Sequence, residues 1–264
     1  MVTASALWLP TTNRDHIPNP SASPHWRFWG TLLWSVLIII VPAITELLVA
    51  IIQIKRSTPV IYSRWHFEAI LRSIENNGNV VAYASFVSTI VGCSLIGGII
   101  KLKRGAILRE YLCLYRVPIQ TAALWLGITL IYMAVSSVIL YLLGEQIVPQ
   151  WSFDVYKTAQ PVWMLWVAIV IAAPLSEEMF VRGFMFRGFQ SSFLGLTGTI
   201  VITSGLWAVL HIQYDFYIMV DIGVFGVLLA TARHMTGSLL IPLCLHAFMN
   251  LCATVEVAIL QYLR

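Results

Sequence analysis

Residues 162–191 read VWMLWVAIVIAAPLSEEMFVRGFMFRGFQS, a largely apolar stretch in which Glu177, Glu178 and Arg182 lie close together. An ionisable side chain at the centre of a membrane helix costs roughly 2.5–3.5 kcal/mol even on lenient insertion scales. Three such groups between positions 177 and 182 therefore need a physical reason, and the usual reason is a buried polar site. The segment predicts a functional site inside a membrane-embedded helix.

The composition of the whole chain extends this interpretation. Of its 264 residues, 59% are hydrophobic and only 11% are charged, and the mean hydropathy is +0.82. A soluble domain usually carries about 25% charged residues. The chain is therefore predicted to be all-α, a polytopic integral membrane helical bundle.

Seven apolar stretches are long enough to cross a bilayer, which needs about 20 residues per helix. They are residues 28–54, 79–100, 118–143, 162–191, 193–211, 213–231 and 238–262. The fourth is too long for one simple span and contains Pro174, which predicts a kink or break just before Ser176. If both of its pieces cross, the number of transmembrane helices becomes eight.

The charged connections suggest an orientation. Residues 101–117 hold five basic side chains against one acid, so the positive-inside rule places this loop in the cytosol. Residues 55–78 hold four basic side chains against two acids and favour the opposite orientation. Residues 1–26 lack the apolar run of a signal peptide, and the four cysteines lack any metal or disulfide spacing. The basic residues form no soluble face that would bind nucleic acid.

Glu178 and Arg182 are four residues apart, the spacing at which an acid reaches a base on the next helical turn. Glu177 then points about 100° away and lacks that partner. An unpaired carboxylate at a buried site is a candidate general base. The alternative is a structural ion pair that only holds helices together.

Three further polar residues fall at a compatible depth. With a turn near Ser191, Glu177 and His211 lie on antiparallel helices at depths that differ by only about 6 Å at 1.5 Å per residue. His246 and Asn250 are four residues apart in the last span and share one face. Side chains from three helices are thus expected to converge on Glu177.

Other acids have simpler explanations. Glu46 stands alone in the first span, and Glu256 lies near a span end. Asp221 is deeper, and a helix-packing role and a site role are equally compatible with its position. Tyr214-Asp215 resembles the Tyr-Asp of intramembrane aspartyl proteases, but no Gly-x-Gly-Asp follows it.

The motifs Glu-Glu-x-x-x-Arg, aromatic-x-x-x-His and His-x-x-x-Asn occur in this order on successive apolar segments. Together they resemble the CPBP family of CAAX proteases and bacteriocin-processing enzymes, also called the ABI family. The matching residues are Glu177, Glu178 and Arg182, then Trp207 and His211, then His246 and Asn250. The resemblance covers roughly residues 161–252. Trp207 departs from the family pattern, which usually has Phe there.

The resemblance implies a glutamate-dependent intramembrane endopeptidase. It leaves a metal possible, but the glutamate mechanism fits better, so we expect no metal or other cofactor. Glu177 would activate a water with help from His211, and His246 and Asn250 would donate hydrogen bonds to the tetrahedral oxyanion. Glu178 and Arg182 would orient the site, with Trp207 as a further supporting residue.

The expected substrate is a membrane-associated or lipidated protein or peptide, cut near its C-terminus, or a precursor peptide. The chain then divides into a polar tail (1–27), N-terminal transmembrane helices (28–160) and a catalytic core (161–264). Short loops favour the plasma membrane of a bacterium over the endoplasmic reticulum.

Several alternatives stay open. Two histidines and a glutamate are a plausible zinc set, although the chain has no His-Glu-x-x-His. A non-catalytic immunity or binding module of the same family would also keep the fold. A transporter would use the acids as an ion path, but no matched pair of broken helices is visible. A serine protease is disfavoured, since no Gly-x-Ser-x-Gly elbow occurs.

Overall fold

The computed structural model describes residues 24–57 and 76–263, and all regular structure in these ranges is helical. Nine helical segments follow one another. They are α1 (Phe28–Ser57), α2 (Gly78–Leu102), α3 (Leu108–Tyr111), α4 (Ile119–Leu142), α5 (Gln150–Thr158), α6 (Val162–Gln190), α7 (Gly195–Val209), α8 (Phe216–Thr236) and α9 (Leu240–Leu263). The predicted tail lies outside the described residues up to position 23, as does most of the predicted basic loop 55–78.

The predicted polytopic helical bundle is confirmed. In the part of the chain that the structure describes, six helices are long and apolar enough to cross a membrane: α1, α2, α4, α6, α8 and α9. Helix α7 is a shorter apolar helix of 15 residues. Many large apolar side chains on α1, α2 and α4 face outward, as expected where lipid replaces water. The short α7 corresponds to the predicted span 193–211.

At the kink or break predicted before Ser176, the helix changes its pitch, and the two pieces belong to one helix rather than to two spans. Helix α6 runs without interruption from Val162 to Gln190. It contains two π-helical segments, Ala168–Ala172 and Met179–Met185, which flank a short α-helical turn. Pro174 lies at the start of that turn, where its missing N–H is accommodated next to the wider π turn.

The two ends of the bundle differ in what joins the helices. We call the end formed by connections 103–118, 191–194 and 237–239 the basic face. There, Arg187 Nη1 donates to the carbonyls of Glu110 (2.6 Å) and Tyr111 (3.2 Å), and the Ser238 hydroxyl donates to Tyr115 O. These hydrogen bonds hold the basic loop 101–117 against the end of α6 and the start of α9.

We call the other end, formed by connections 143–161 and 210–215, the cavity face. Gly78 N donates to the Thr158 hydroxyl (2.8 Å), which fixes the start of α2 against the end of α5. The rings of Trp151 and Tyr214 meet edge to face at 5.4 Å and join the two connections. Helix α5 therefore covers this end of the bundle rather than crossing it.

Candidate active site

Glu178 and Arg182 form a fully buried ion pair on α6. Arg182 Nη1 donates to Glu178 Oε1 at 2.7 Å, and neither side chain is exposed. Arg182 Nη2 donates to the carbonyl of Gly226 on α8 (3.2 Å), and the guanidinium lies 4.3 Å from the centre of the Trp207 ring. The pair therefore connects α6 to α7 and α8 at the centre of the bundle.

His246 on α9 binds the same carboxylate. Its Nδ1 lies 3.0 Å from Glu178 Oε1, and its side chain is almost completely buried. Because Glu178 is already paired with Arg182, it acts as an acceptor, and His246 Nδ1 carries the donated hydrogen. The other ring nitrogen, Nε2, can therefore interact with a group bound in the cavity.

Glu177 lies on the neighbouring face of α6 and meets α7. Its Oε2 accepts a hydrogen bond from the indole N–H of Trp207 at 2.6 Å, and His211 Nε2 lies 3.9 Å from the same oxygen. His211 Nδ1 is 2.7 Å from the carbonyl oxygen of Trp207. A carbonyl only accepts, so the neutral ring carries its hydrogen on Nδ1 and presents an acceptor Nε2 toward Glu177.

Asn250 lies one helical turn after His246 and is held by the first π-helical segment of α6. Its Nδ2 donates to the carbonyl of Ile169 at 2.9 Å. An amide nitrogen has two hydrogens, so one stays available for another acceptor. The π turn thus contributes directly to the position of this side chain, in line with the frequent occurrence of π segments at functional sites.

These side chains border one cavity of about 400 Å³ that opens at the cavity face. The sequence-predicted residues on its wall are Glu177, Trp207, His211, His246 and Asn250. Glu178 and Arg182 do not line it; they lie behind it. The structure therefore brings the predicted residues together in two layers, one facing the cavity and one supporting it.

Apolar and aromatic side chains make up most of the remaining wall, and several come from the region 28–160, which carries no sequence motif. They include Val81, Leu140, Trp151, Val155 and Tyr156. Only the tertiary packing identifies them, because α2 packs against α6, α4 against α8 and α9, and α5 against α2 and α9. Tyr214 stands at the opening, where burial raises the pKa of its hydroxyl to about 12, so the group stays neutral and can donate.

The other intramembrane acids differ in whether they line the cavity. Asp221 lines the cavity, and its carboxylate accepts hydrogen bonds from α4. Glu46 and Glu256 do not line it. Sequence reasoning left Asp221 undecided, because the hydroxyls that bind it are 85 and 89 residues away in the chain.

The potential metal ligands of the site are the two histidines and the glutamates. In the described part of the chain, no three His, Cys, Asp or Glu side chains are grouped as ligands of one ion. His246 turns one nitrogen to Glu178, and His211 turns one to a backbone carbonyl. That the site works without a metal stays a prediction.

Residues 159–252 match the family model described as type II CAAX prenyl endopeptidase Rce1-like. This match supports the CPBP family for the segment. The resemblance predicted from the motifs is thereby confirmed, and since the matching family is one of proteases, it supports a hydrolase at this site. The match spans the glutamate pair, both histidines and Asn250.

One curated relative adds to this comparison. An Escherichia coli protein described as "Uncharacterized 24.3 kDa protein" is 33% identical over 96 residues, which make up 34% of this chain and 42% of that protein. The alignment thus spans less than half of the relative's length. No solved structure matches the chain.

Proposed function

We propose that the chain is an intramembrane endopeptidase in which Glu177 activates a water molecule for attack on a peptide bond. The observation that carries this proposal is the pairing of Glu177 Oε2 and His211 Nε2, 3.9 Å apart on the wall of a cavity. Two acceptors do not hydrogen-bond to each other, and at this separation one water on the cavity side can donate a hydrogen to each of them.

The tautomer of His211 gives this water a direction. A water that donates one hydrogen to Glu177 Oε2 and the other to His211 Nε2 turns its oxygen lone pairs toward the cavity. The substrate carbonyl carbon would approach from that side. Glu177 then takes the proton as the oxygen attacks, a step that typically contributes 10²–10⁴-fold to the rate. When the C–N bond breaks, the protonated Glu177 returns this proton to the leaving amine nitrogen. The Trp207 indole keeps the Glu177 carboxylate in place.

The negative oxygen that develops on the substrate needs donors, and His246 and Asn250 are placed to supply them. Asn250 has a second amide hydrogen besides the one given to Ile169. His246 has its Nδ1 hydrogen directed to Glu178, so it donates from Nε2 only as an imidazolium. One such donor is worth about 2.7–4 kcal/mol of barrier.

Glu178 and Arg182 support this arrangement without contacting substrate. Glu178 orients His246, and Arg182 stacks on the ring that holds Glu177. The site is thus a connected network in which the supporting layer sets the geometry of the reacting layer.

The substrate we propose is a membrane-associated or lipidated protein, cut near its C-terminus, or a precursor peptide. The apolar wall suits a polypeptide segment that enters from the bilayer, and the site acts without cofactor or nucleic acid. The location we propose is the plasma membrane of a bacterium, the kind of organism from which the aligned Escherichia coli protein comes.

Cleavage of candidate precursor peptides in lipid nanodiscs tests the proposal. Glu177→Ala and His246→Ala are expected to lose cleavage while the fold is retained, and Glu256→Gln is the matched control because this exposed glutamate lies outside the cavity. Cleavage by Glu177→Ala at the parental rate would refute the assigned base. Loss of cleavage on chelation, with restoration by zinc, would replace the water-activating glutamate with a metal mechanism.

A further inference from the structure

Asp221 is an acid on the cavity wall that the proposed chemistry does not use. It lies in α8, about 8 Å from the start of that helix at 1.5 Å per residue. Phe225, one turn deeper, packs against the rings of Trp207 and His246 with centroid distances of 6.3 Å. Asp221 is therefore about one helical turn nearer the opening than the reacting groups.

Two hydroxyl groups of α4 hold one oxygen of this carboxylate. Tyr132 Oη donates to Asp221 Oδ1 at 2.7 Å, and Ser136 Oγ donates to the same atom at 2.6 Å. Among the described residues, none donates to Oδ2, although the side chain is only half-buried and lines the cavity. The carboxylate is thus fixed through one oxygen and presents the other.

The formal charge near Asp221 is mainly negative in the part of the chain that the structure describes. Within the described ranges, the cavity wall includes Glu177 and Asp221 but no lysine or arginine. The two connections of the cavity face carry three acids, Glu145, Asp154 and Asp215, against Lys157. A cleft with carboxylates and low-dielectric walls concentrates its field on an entering positive charge. Aromatic faces near the opening add to that attraction.

We propose that Asp221 is a specificity-determining residue that binds a lysine or arginine side chain of the substrate on the side of the cavity opening. This inference rests on the proposed peptidase function and deepens it, since it names the substrate class: apolar segments that carry a basic residue close to the cleaved bond. The Tyr132 and Ser136 hydroxyls keep the carboxylate in one orientation, and the open oxygen receives the cation.

Asparagine at this position separates the binding role from helix packing. In Asp221→Asn, the side-chain oxygen still accepts from Tyr132 and Ser136, so the contact between α4 and α8 is kept while the negative charge is removed. Asp154→Asn is the matched control, because Asp154 belongs to the same face and does not line the cavity. Thermal unfolding of both variants shows whether the fold is retained.

The experiment measures binding and cleavage of two fluorescent peptides in lipid nanodiscs. Both are apolar, acetylated and amidated, and they differ in one central residue, lysine or norleucine. The parent is expected to bind the lysine peptide about 10-fold more tightly, the size of one charge-assisted hydrogen bond. Asp221→Asn is expected to abolish that preference, and Asp154→Asn to keep it.

The possible results separate this inference from the proposed function. A preference that is absent in the parent, or unchanged in Asp221→Asn, overturns the role of Asp221, and so does failure of the parent to bind either peptide. Cleavage of both peptides at equal rates overturns it as well but leaves the peptidase intact. An Asp221-dependent preference without cleavage of either peptide supports the binding site and argues against the peptidase.

Discussion

Substituting Glu178 with glutamine should destabilise the fold strongly, because it leaves a buried arginine without its counter-charge. Glu178 and Arg182 are both completely buried. In Glu178→Gln, the Arg182 guanidinium would keep the Gly226 carbonyl and the Trp207 ring face as neighbours, but neither is negatively charged. Removing one partner of a buried pair typically costs about 3–5 kcal/mol.

This free energy converts into a large change of melting temperature. For a domain of 150–250 residues, 1 kcal/mol shifts Tm by about 2–4 °C, so Glu178→Gln is expected to lower Tm by about 6–20 °C. The double variant Glu178→Gln/Arg182→Met removes the unpaired charge and should recover at least half of the loss, since apolar replacements of buried ion pairs are often neutral or stabilising.

The assay is thermal unfolding in detergent micelles, followed by intrinsic fluorescence. Glu256→Gln is the control for the chemistry of the substitution, because Glu256 is exposed on α9. It should melt with the parent. A Tm of Glu178→Gln within about 2 °C of the parent, or a double variant no more stable than the single one, would refute the reasoning that this charge pair is essential to the fold.

Three further outcomes are expected. Trp207→Phe removes the indole N–H bound to Glu177 but keeps an aromatic ring, so kcat should fall about 2- to 10-fold. Trp166→Phe should match the parent in the same assay, because the buried Trp166 N–H has no hydrogen-bond partner among the described residues. Gly226→Ala places a methyl group about 3.0–3.1 Å from Ser204 and Arg182, so it should lower the free energy of unfolding by about 1–3 kcal/mol in a denaturant titration. Gly223→Ala makes only an ordinary van der Waals contact and should change this free energy little. Equal effects of the two variants would contradict the tight packing at Gly226. A cytosolic loop 101–117 would place the cavity face on the outside of the cell. A cysteine that replaces Gln213 at the cavity face, in a chain without its native cysteines, should then react with an impermeant maleimide on intact cells. Labelling only after permeabilisation would reverse the orientation.

Much of the site follows from spacing along single helices. The four-residue interval between Glu178 and Arg182 predicts their pairing, and the ion pair is present at 2.7 Å. Counting 1.5 Å per residue from a turn near Ser191 places Glu177 and His211 at similar depth, and their polar atoms lie 3.9 Å apart. Such predictions succeed because helical rise and periodicity are properties of the local backbone.

Contacts between helices distant in sequence could not be predicted in the same way. The amide of Asn250 binds Ile169, and Asp221 binds Tyr132 and Ser136. In a membrane helix, the side that faces lipid and the side that faces a neighbour are both apolar, so hydrophobic periodicity does not reveal which faces meet. The π-helical segments of α6 were missed for a related reason, since a proline predicts a disturbed helix but not its form.

The amino-acid sequence is enough to identify a membrane-embedded helical protein and the charged groups that its helices must bury, because burying a charge in lipid is so unfavourable that few are found there. Only the tertiary structure decided that His246 is oriented by Glu178, that Trp207 donates to Glu177, and that α2, α4 and α5 complete the cavity. These contacts depend on how whole helices pack against one another, and that packing arises from interactions summed over many residues far apart in the chain.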